Sequence, residues 1–196
     1  DNVEHFGWQT SWGVSWRLIG AMIMAHGDDK GLVLPPKVAP MQVVIVPIYR
    51  NDEDKNIVLS KVEKIQNELE SKDIRVHVDD REGLSPGYKF NDWELKGVPL
   101  RIEIGPKDIE NENVVVAKRY NLEKISLGFT EIGKIAIILD EIQVEMLKKA
   151  KEQAQNNTLE ITDYLDFKSK IEKGGFFNSP WCGKLECEDK IKEETG

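Results

Sequence analysis

The chain has 196 residues, 40% of them hydrophobic and 32% charged, and a formal net charge of -8. This length can bury the core of one or two domains. The longest apolar runs, near residues 41–48 and 134–139, fall far short of the roughly 20 residues that a membrane-spanning helix needs, so no membrane partner is expected. The acidic balance argues against DNA and against a surface broadly adapted to nucleic acid, and it leaves a local site open.

The chain begins with Asp1. Three closely spaced tryptophans follow, with no turn or helix cap before them, so we expect a fragment of a longer protein. Without a signal peptide or a disulfide framework, the cytoplasm is the expected compartment. The two cysteines, Cys182 and Cys187, are five positions apart and can both reach one metal ion. A tetrahedral structural site needs four ligands, so this pair alone does not make one. The alternatives are reduced buried thiols and, less favoured, a disulfide.

The first forty residues contain the stretch "RLIGAMIMAHGDDKG", which predicts a helix that stops at Gly27. The prolines at 35 and 36 predict a domain boundary near residues 36–40. Arg17 lies in the first turn of this helix, where its paired donors can meet a nucleotide phosphate. The alternative is an ordinary helix arginine that pairs with an acid.

The middle of the chain predicts an α/β domain. "MQVVIVPIY" has the β-branched run of a buried strand, and the next segment has a helical stripe that ends near Ser71. "IRVHVDD" and "LRIEIG" alternate as half-buried strands do, "NVVVAKRY" predicts another strand, and a long helix is expected over about residues 130–155. The stripe consists of Val58, Val62, Ile65 and Leu69. Together these elements predict a three-layer domain over about residues 40–143.

Three long motifs resemble one known family. "QTSWGVSWRLIGAMIMAHGDDKGLVLPPKVAP" resembles the third signature motif of class II synthetases, as found in prolyl-tRNA synthetases of the archaeal and eukaryotic type. "VDDREGLSPGYKFNDWELKGVPLRIEIGPKDIENENVVVAKR" resembles their anticodon-binding domain, and "GGFFNSPWCGKLECEDKIKEETG" the opening of their zinc-binding domain. The resemblance implies the end of a catalytic domain (1–39), a class IIa anticodon-binding domain with a mixed sheet flanked by helices (40–143), and a truncated C-terminal zinc-binding domain (144–196).

The resemblance also implies roles for residues around the first helix. Arg17 would contact the phosphates of ATP, which is bound with Mg²⁺, and would stabilise the charge that moves when proline attacks. Ser15 would border the nucleotide, and Ser11 and Gly13 would line the proline pocket. Trp16 stands where the family usually has a threonine.

In the family, polar residues of the second motif read the anticodon. By this resemblance Glu94 and Arg101 would read guanine bases, and Lys107 and Arg119 would lie close to the RNA backbone. The chemistry fits, because arginine can donate twice to guanine O6 and N7 and glutamate can accept from guanine N1 and N2. Strand alternation also turns Arg101 away from the apolar face. The alternative is a solvated sheet face with paired charges.

The same resemblance implies a structural Zn²⁺ site, with Cys182 and Cys187 as its first pair of ligands. The family activates proline with ATP and attaches it to the proline tRNA, as a homodimer. The sequence contains no recognisable first or second class II motif, so we expect this chain to be inactive alone. Two alternatives stay open: a stand-alone, non-catalytic tRNA-binding module, which Trp16 favours, and a fragment that binds another protein. A synthetase for threonine, histidine or glycine is less favoured because of the cysteine-bearing tail.

Overall fold

The computed structural model describes residues 7–195; residues 1–6, at the start of the predicted first domain, and Gly196 lie outside this range. The chain divides into two compact units, one up to Gln143 and one from Val144 onward. Among the described residues, no helix combines the length and the apolar character needed to cross a membrane.

The first unit holds a five-stranded mixed sheet with helices on its faces. Strands β2, β1 and β3 are parallel, and β4 and β5 continue the sheet in antiparallel fashion, in the order β2-β1-β3-β4-β5. The elements in chain order are α1 (Arg17–His26), β1 (Val43–Pro47), α2 (Asp52–Glu70), β2 (Val76–Val78), α3 (Pro86–Leu95), β3 (Leu100–Ile104), α4 (Pro106–Glu110), β4 (Asn113–Lys118), β5 (Lys124–Gly128), a 3-10 helix (Phe129–Lys134) and α5 (Ile135–Asn156), whose residues beyond Gln143 belong to the second unit. The mixed α/β class is confirmed, whereas α3, α4 and β5 were not predicted from the sequence.

Both faces of the interior strand β1 are covered, and all five of its residues are buried. The apolar stripe predicted for α2 is confirmed, because Val58, Val62, Ile65 and Leu69 are its buried residues. Helix α2 contacts β1 and β2, while α3 packs Trp93 against Val44 and Val46 of β1. The β-branched run of β1 is therefore explained by helices on either side of it.

Strand β3 differs from its prediction as a half-buried strand. All five of its residues are buried, and Arg101 and Glu103 are only 6% and 8% exposed. The alternation is present, but Phe90 of α3 and Lys124 of β5 lie against the polar face and cover it. In β2 the predicted alternation holds, since His77 is exposed between two half-buried valines.

Helix α2 begins at a side-chain cap, because the Asn51 amide oxygen accepts a hydrogen bond from the Asp54 main-chain N–H at 2.7 Å. We expect Asn51→Ala to lower the free energy of unfolding by about 1 kcal/mol, since this N–H would lose its partner. Urea unfolding measures the change. Asn56→Ala, at an exposed position inside the same helix, is the matched control and should leave stability unchanged or slightly raised. Equal effects of the two substitutions would contradict a specific role for the cap.

The second unit contains a two-stranded parallel sheet and short helices. Strands β6 (Thr158–Glu160) and β7 (Phe176–Asn178) form the sheet, and α6 (Tyr164–Ile171) lies between them in the chain. The last helix, α7 (Leu185–Thr195), is tied to α6 by one carboxylate: Glu194 accepts from the Tyr164 hydroxyl at 2.7 Å and pairs with Lys168 at 2.9 Å.

Candidate nucleic-acid interface

A cleft of about 200 Å³ opens on the sheet beside the end of α3. Five basic side chains and one acidic side chain contribute to its lining: Lys30, Arg101, Lys118, Arg119, Lys124 and Glu94. Such a concentration of positive charge stands out in a chain whose net charge is -8. Each of these cations also lies within 4 Å of a carboxylate, so the cleft presents cationic and anionic hydrogen-bonding groups side by side.

Strand register brings the cleft residues together. Val44 of β1 pairs with Arg101 of β3, Arg101 pairs with Ala117 of β4, and Ala117 pairs with Lys124 of β5. Paired residues of neighbouring strands share a face of a sheet. These four paired residues thus run across the sheet from Val44, which packs against α3, to Lys124, whose side chain is 52% exposed.

Arg101 is the centre of the buried polar contacts in the cleft. Its guanidinium donates to Glu103 Oε1 at 3.1 and 2.9 Å, to Glu94 Oε1 at 3.3 Å and to the Phe90 main-chain oxygen at 3.4 Å. The guanidinium carbon lies 4.3 Å from the centre of the Phe90 ring. Lys124 Nζ completes the group by donating to Glu103 Oε2 at 3.0 Å. Arg101 is therefore held in one orientation by contacts to two elements.

Glu94 is the acidic residue that remains accessible in the cleft. Its side chain is 21% exposed, compared with 8% for Arg101 and 2% for Arg119. Lys30 Nζ lies 3.9 Å from its second carboxylate oxygen. A partly exposed carboxylate beside cationic side chains can accept hydrogen bonds from the edge of a guanine base.

Arg119 was predicted to lie close to the RNA backbone, which would require an accessible guanidinium. Its guanidinium is buried, and all three of its nitrogens donate within the chain: Nη1 to Asp28 Oδ2 at 2.8 Å, Nη2 to Asp28 Oδ1 at 2.5 Å, and Nε to the Glu94 main-chain oxygen at 2.9 Å. The hydrogen bond from Arg119 is the main cause that lowers the pKa of Asp28 to about 2. The Asp28 carboxylate is thus ionised at neutral pH.

Lys107 does not join the other predicted anticodon residues. It is exposed on α4, which follows the opposite end of β3, and lines a separate hollow with Arg50 and Asp108. Glu94, Arg101 and Arg119 are therefore one cluster, and Lys107 lies apart from them.

A second buried cluster, which the sequence reasoning missed, fixes α3 beside the cleft. Asp79 has no exposed surface and accepts from Arg81 Nη2 at 2.7 Å and from Trp93 Nε1 at 2.7 Å. Lys89, only 4% exposed, donates to the Asp79 main-chain oxygen at 3.0 Å. Burial acts to raise the pKa of Asp79, but the hydrogen bonds from Arg81 and Trp93 and the charge of Lys89 outweigh it and hold this pKa well below its usual range. The sequence feature that could have indicated this cluster is the run of two aspartates and an arginine directly after β2.

The residues predicted to contact ATP and proline lie at the start of the described range. Ser11, Gly13 and Ser15 are exposed in the irregular segment before α1, and Arg17 is the exposed first residue of that helix. Their assigned roles remain predictions, since they form no buried or paired group with one another.

Cys182 and Cys187 are exposed and free, and their side chains share a hydrogen bond. This bond lowers the pKa of Cys182 and raises the pKa of Cys187. Within residues 7–195, no group of three or more His, Cys, Asp or Glu side chains is arranged to hold a metal ion. Two thiols are half of the four ligands that a tetrahedral zinc site needs, and the zinc role of this pair stays a prediction.

Comparison with known proteins identifies the fold and its family. Residues 42–138 match the model of the anticodon binding domain, and residues 164–196 match that of the prolyl-tRNA synthetase C-terminal domain. The chain is 51% identical over 200 residues to the proline–tRNA ligase of Cenarchaeum symbiosum, which covers all of this chain and 41% of that relative. It is 52% identical over 189 residues to the enzyme of that name from Acetoanaerobium sticklandii, covering 95% of this chain and 39% of the relative. For the one from Roseiflexus castenholzii the identity is 46% over 198 residues, with 99% of this chain and 41% of the relative covered.

The mixed sheet, with its cleft beside α3, is thus an anticodon-binding domain. The chain spans about two fifths of the length of the curated relatives it matches, and it corresponds to their C-terminal part. It belongs to the prolyl-tRNA synthetase family.

Proposed function

We propose that this chain binds the anticodon loop of the proline tRNA as the C-terminal part of a proline–tRNA ligase. The observation that carries the proposal is the cleft in which accessible Glu94 and Lys124 stand beside the oriented guanidinium of Arg101. Anticodon bases in a splayed loop can be recognised by hydrogen bonds to their edges, and guanine offers both acceptors and donors. The Glu94 carboxylate would accept hydrogen bonds from guanine. Arg101 would hold the Glu94 carboxylate in place and line the cleft.

The proposal is tested by fluorescence anisotropy of the chain with a proline tRNA transcript and with one whose two anticodon guanines are replaced. Each base contact contributes on the order of 1–3 kcal/mol, so replacing the guanines should weaken binding by roughly tenfold or more. The preference should survive added salt, because contacts to base edges release few counterions. Equal binding to both RNAs, lost on adding salt, would overturn the proposal and favour a partner other than RNA.

The parent enzyme, by this proposal, activates proline with ATP and esterifies it to the tRNA. Arg17 and Ser15 would contribute to its ATP site, and Ser11 and Gly13 to its proline pocket. Magnesium would accompany the ATP and neutralise phosphate charge. The chain alone would be inactive, because transition-state stabilisation needs the whole constellation of a site. A cytoplasmic homodimer is the proposed setting.

The zinc site is proposed only in part. Cys182 and Cys187 would supply two thiolate ligands to a structural Zn²⁺, and their exposed position leaves them accessible to it. A complete tetrahedral set would require two further ligands from outside the described residues.

A further inference from the structure

The segment just before the anticodon-binding domain is paired with the end of α3. The Leu32 main-chain N–H donates to the Leu95 oxygen at 3.0 Å, and the Leu34 N–H donates to the Gly97 oxygen at 3.2 Å. The approach is close, because a Cβ on Gly97, whose φ is +73°, would lie 2.6 Å from the Leu32 backbone. Leu32 and Leu34 precede the 42–138 match, and so does Lys30, which lines the cleft, so part of the cleft wall lies outside the matched domain.

The Asp28–Arg119 ion pair also holds this segment, by joining it to the residue that follows β4. Asp28 accepts from two guanidinium nitrogens, and such bidentate pairs fix orientation as well as contributing energy. The third nitrogen of the same guanidinium donates to the main-chain oxygen of Glu94 at 2.9 Å. One arginine therefore joins Asp28 to the residue whose carboxylate faces the cleft.

We propose that Asp28 and Arg119 are positioning residues for anticodon reading: their ion pair, bonded to the Glu94 main chain, holds the Glu94 carboxylate where it can accept from a guanine base. This inference rests on the proposed function and assigns Arg119 an indirect role in place of a contact to the RNA backbone. Lys30 acts on the same carboxylate from the same segment, at 3.9 Å. Recognition by the cleft thus depends on residues that lie outside the domain match.

The alternative is a purely structural ion pair. A structural pair would affect the fraction of folded chain, and would leave the folded chain with an unchanged preference for the intact anticodon. A positioning pair changes that preference even when the chain is fully folded, since a shift of the carboxylate weakens a bond made only to guanine. The ratio of affinities for the two RNAs therefore separates the two roles.

The experiment measures this ratio for the full chain carrying Asp28→Asn, Arg119→Lys, or both, under conditions in which circular dichroism shows each variant to be folded. Asp28 is 41% exposed, so its isosteric change should be tolerated by the fold. We expect the ratio of the two affinities to fall roughly tenfold in each single variant. A fall of this size corresponds to the loss of one charge-assisted hydrogen bond. The double variant should lose no more than the larger single loss, because the two residues act as one unit.

Asp29→Asn, the same substitution at the exposed neighbouring position, is the control and should keep the parent ratio. An unchanged ratio in the folded variants would overturn the inference and leave a structural ion pair. Equal weakening for both RNAs, with a smaller salt dependence, would also overturn it, because Arg119 would then contact phosphate. If the unsubstituted chain showed no preference for the intact anticodon, the proposed function would be overturned, and the inference would fail with it.

Discussion

Replacing Asp79 by alanine is expected to lower the free energy of unfolding by about 3–5 kcal/mol, which is typical of removing one partner from a buried ionic group. The carboxylate is fully buried and accepts from Arg81 and from the Trp93 indole. Its loss would leave the indole N–H without its partner and the buried ammonium of Lys89 without a nearby carboxylate, which now lies 3.7 Å away. Urea unfolding, followed by tryptophan fluorescence, measures the change.

Asp80→Ala is the matched control, because Asp80 is the exposed neighbour of Asp79 in the chain. Its effect should stay within about 0.5 kcal/mol, as for most surface substitutions. If both variants lost the same stability, the Asp79 cluster would not be what anchors α3 to the sheet.

The same cluster predicts how stability depends on pH. The pKa of Asp79 is lower in the folded chain than the value of about 3.9 expected when unfolded, so its contribution is fully present above that unfolded value. The contribution is lost as pH falls through the unfolded pKa toward the folded one. The acid side of the stability profile should therefore be shallower for Asp79→Ala than for the parent chain. An unchanged acid slope would place the acid sensitivity elsewhere, with Asp28 as the next carboxylate to examine.

Periodicity was enough to predict the apolar skeleton of the first unit. The stripe of α2 and the β-branched run of β1 each follow from burial on a repeating geometry, and both are confirmed. Helix α3 was harder to predict, because its sequence PGYKFNDWEL opens with a proline and a glycine and two of its large apolar residues, Tyr88 and Leu95, are exposed. It is held by polar groups as well as apolar ones, since buried residues on this helix include Lys89 as well as Trp93.

The location of the candidate site depended on contacts that sequence spacing does not contain. Arg101 and Glu94 are seven positions apart and meet because α3 folds back beside β3. Asp28 and Arg119 are 91 positions apart and are joined only by the tertiary fold. The resemblance to a family could supply names for candidate residues, but it could not show that Arg119 is buried and Lys107 exposed.

Arg101→Ala is expected to weaken binding of the proline tRNA by about 1–3 kcal/mol and to reduce the preference for the intact anticodon. The physical reason is the loss of the group that holds both Glu94 and Glu103. Glu103, 8% exposed, would keep only Lys124 as its charged partner and could move into the cleft. Anisotropy with the intact and the guanine-replaced RNA measures both quantities, and a melting curve establishes that the variant is folded.

Two further variants separate charge from geometry. Arg101→Lys keeps the positive charge and lacks the planar fork, so it should retain part of the affinity and lose most of the preference. Arg50→Ala removes an exposed arginine that lines a different hollow and should leave the preference unchanged. Equal losses for both RNAs in Arg101→Ala would mean that this arginine serves only phosphate contacts. Full retention of the preference would exclude Arg101 from anticodon reading, because a residue that orients the reading carboxylate cannot be removed without moving it.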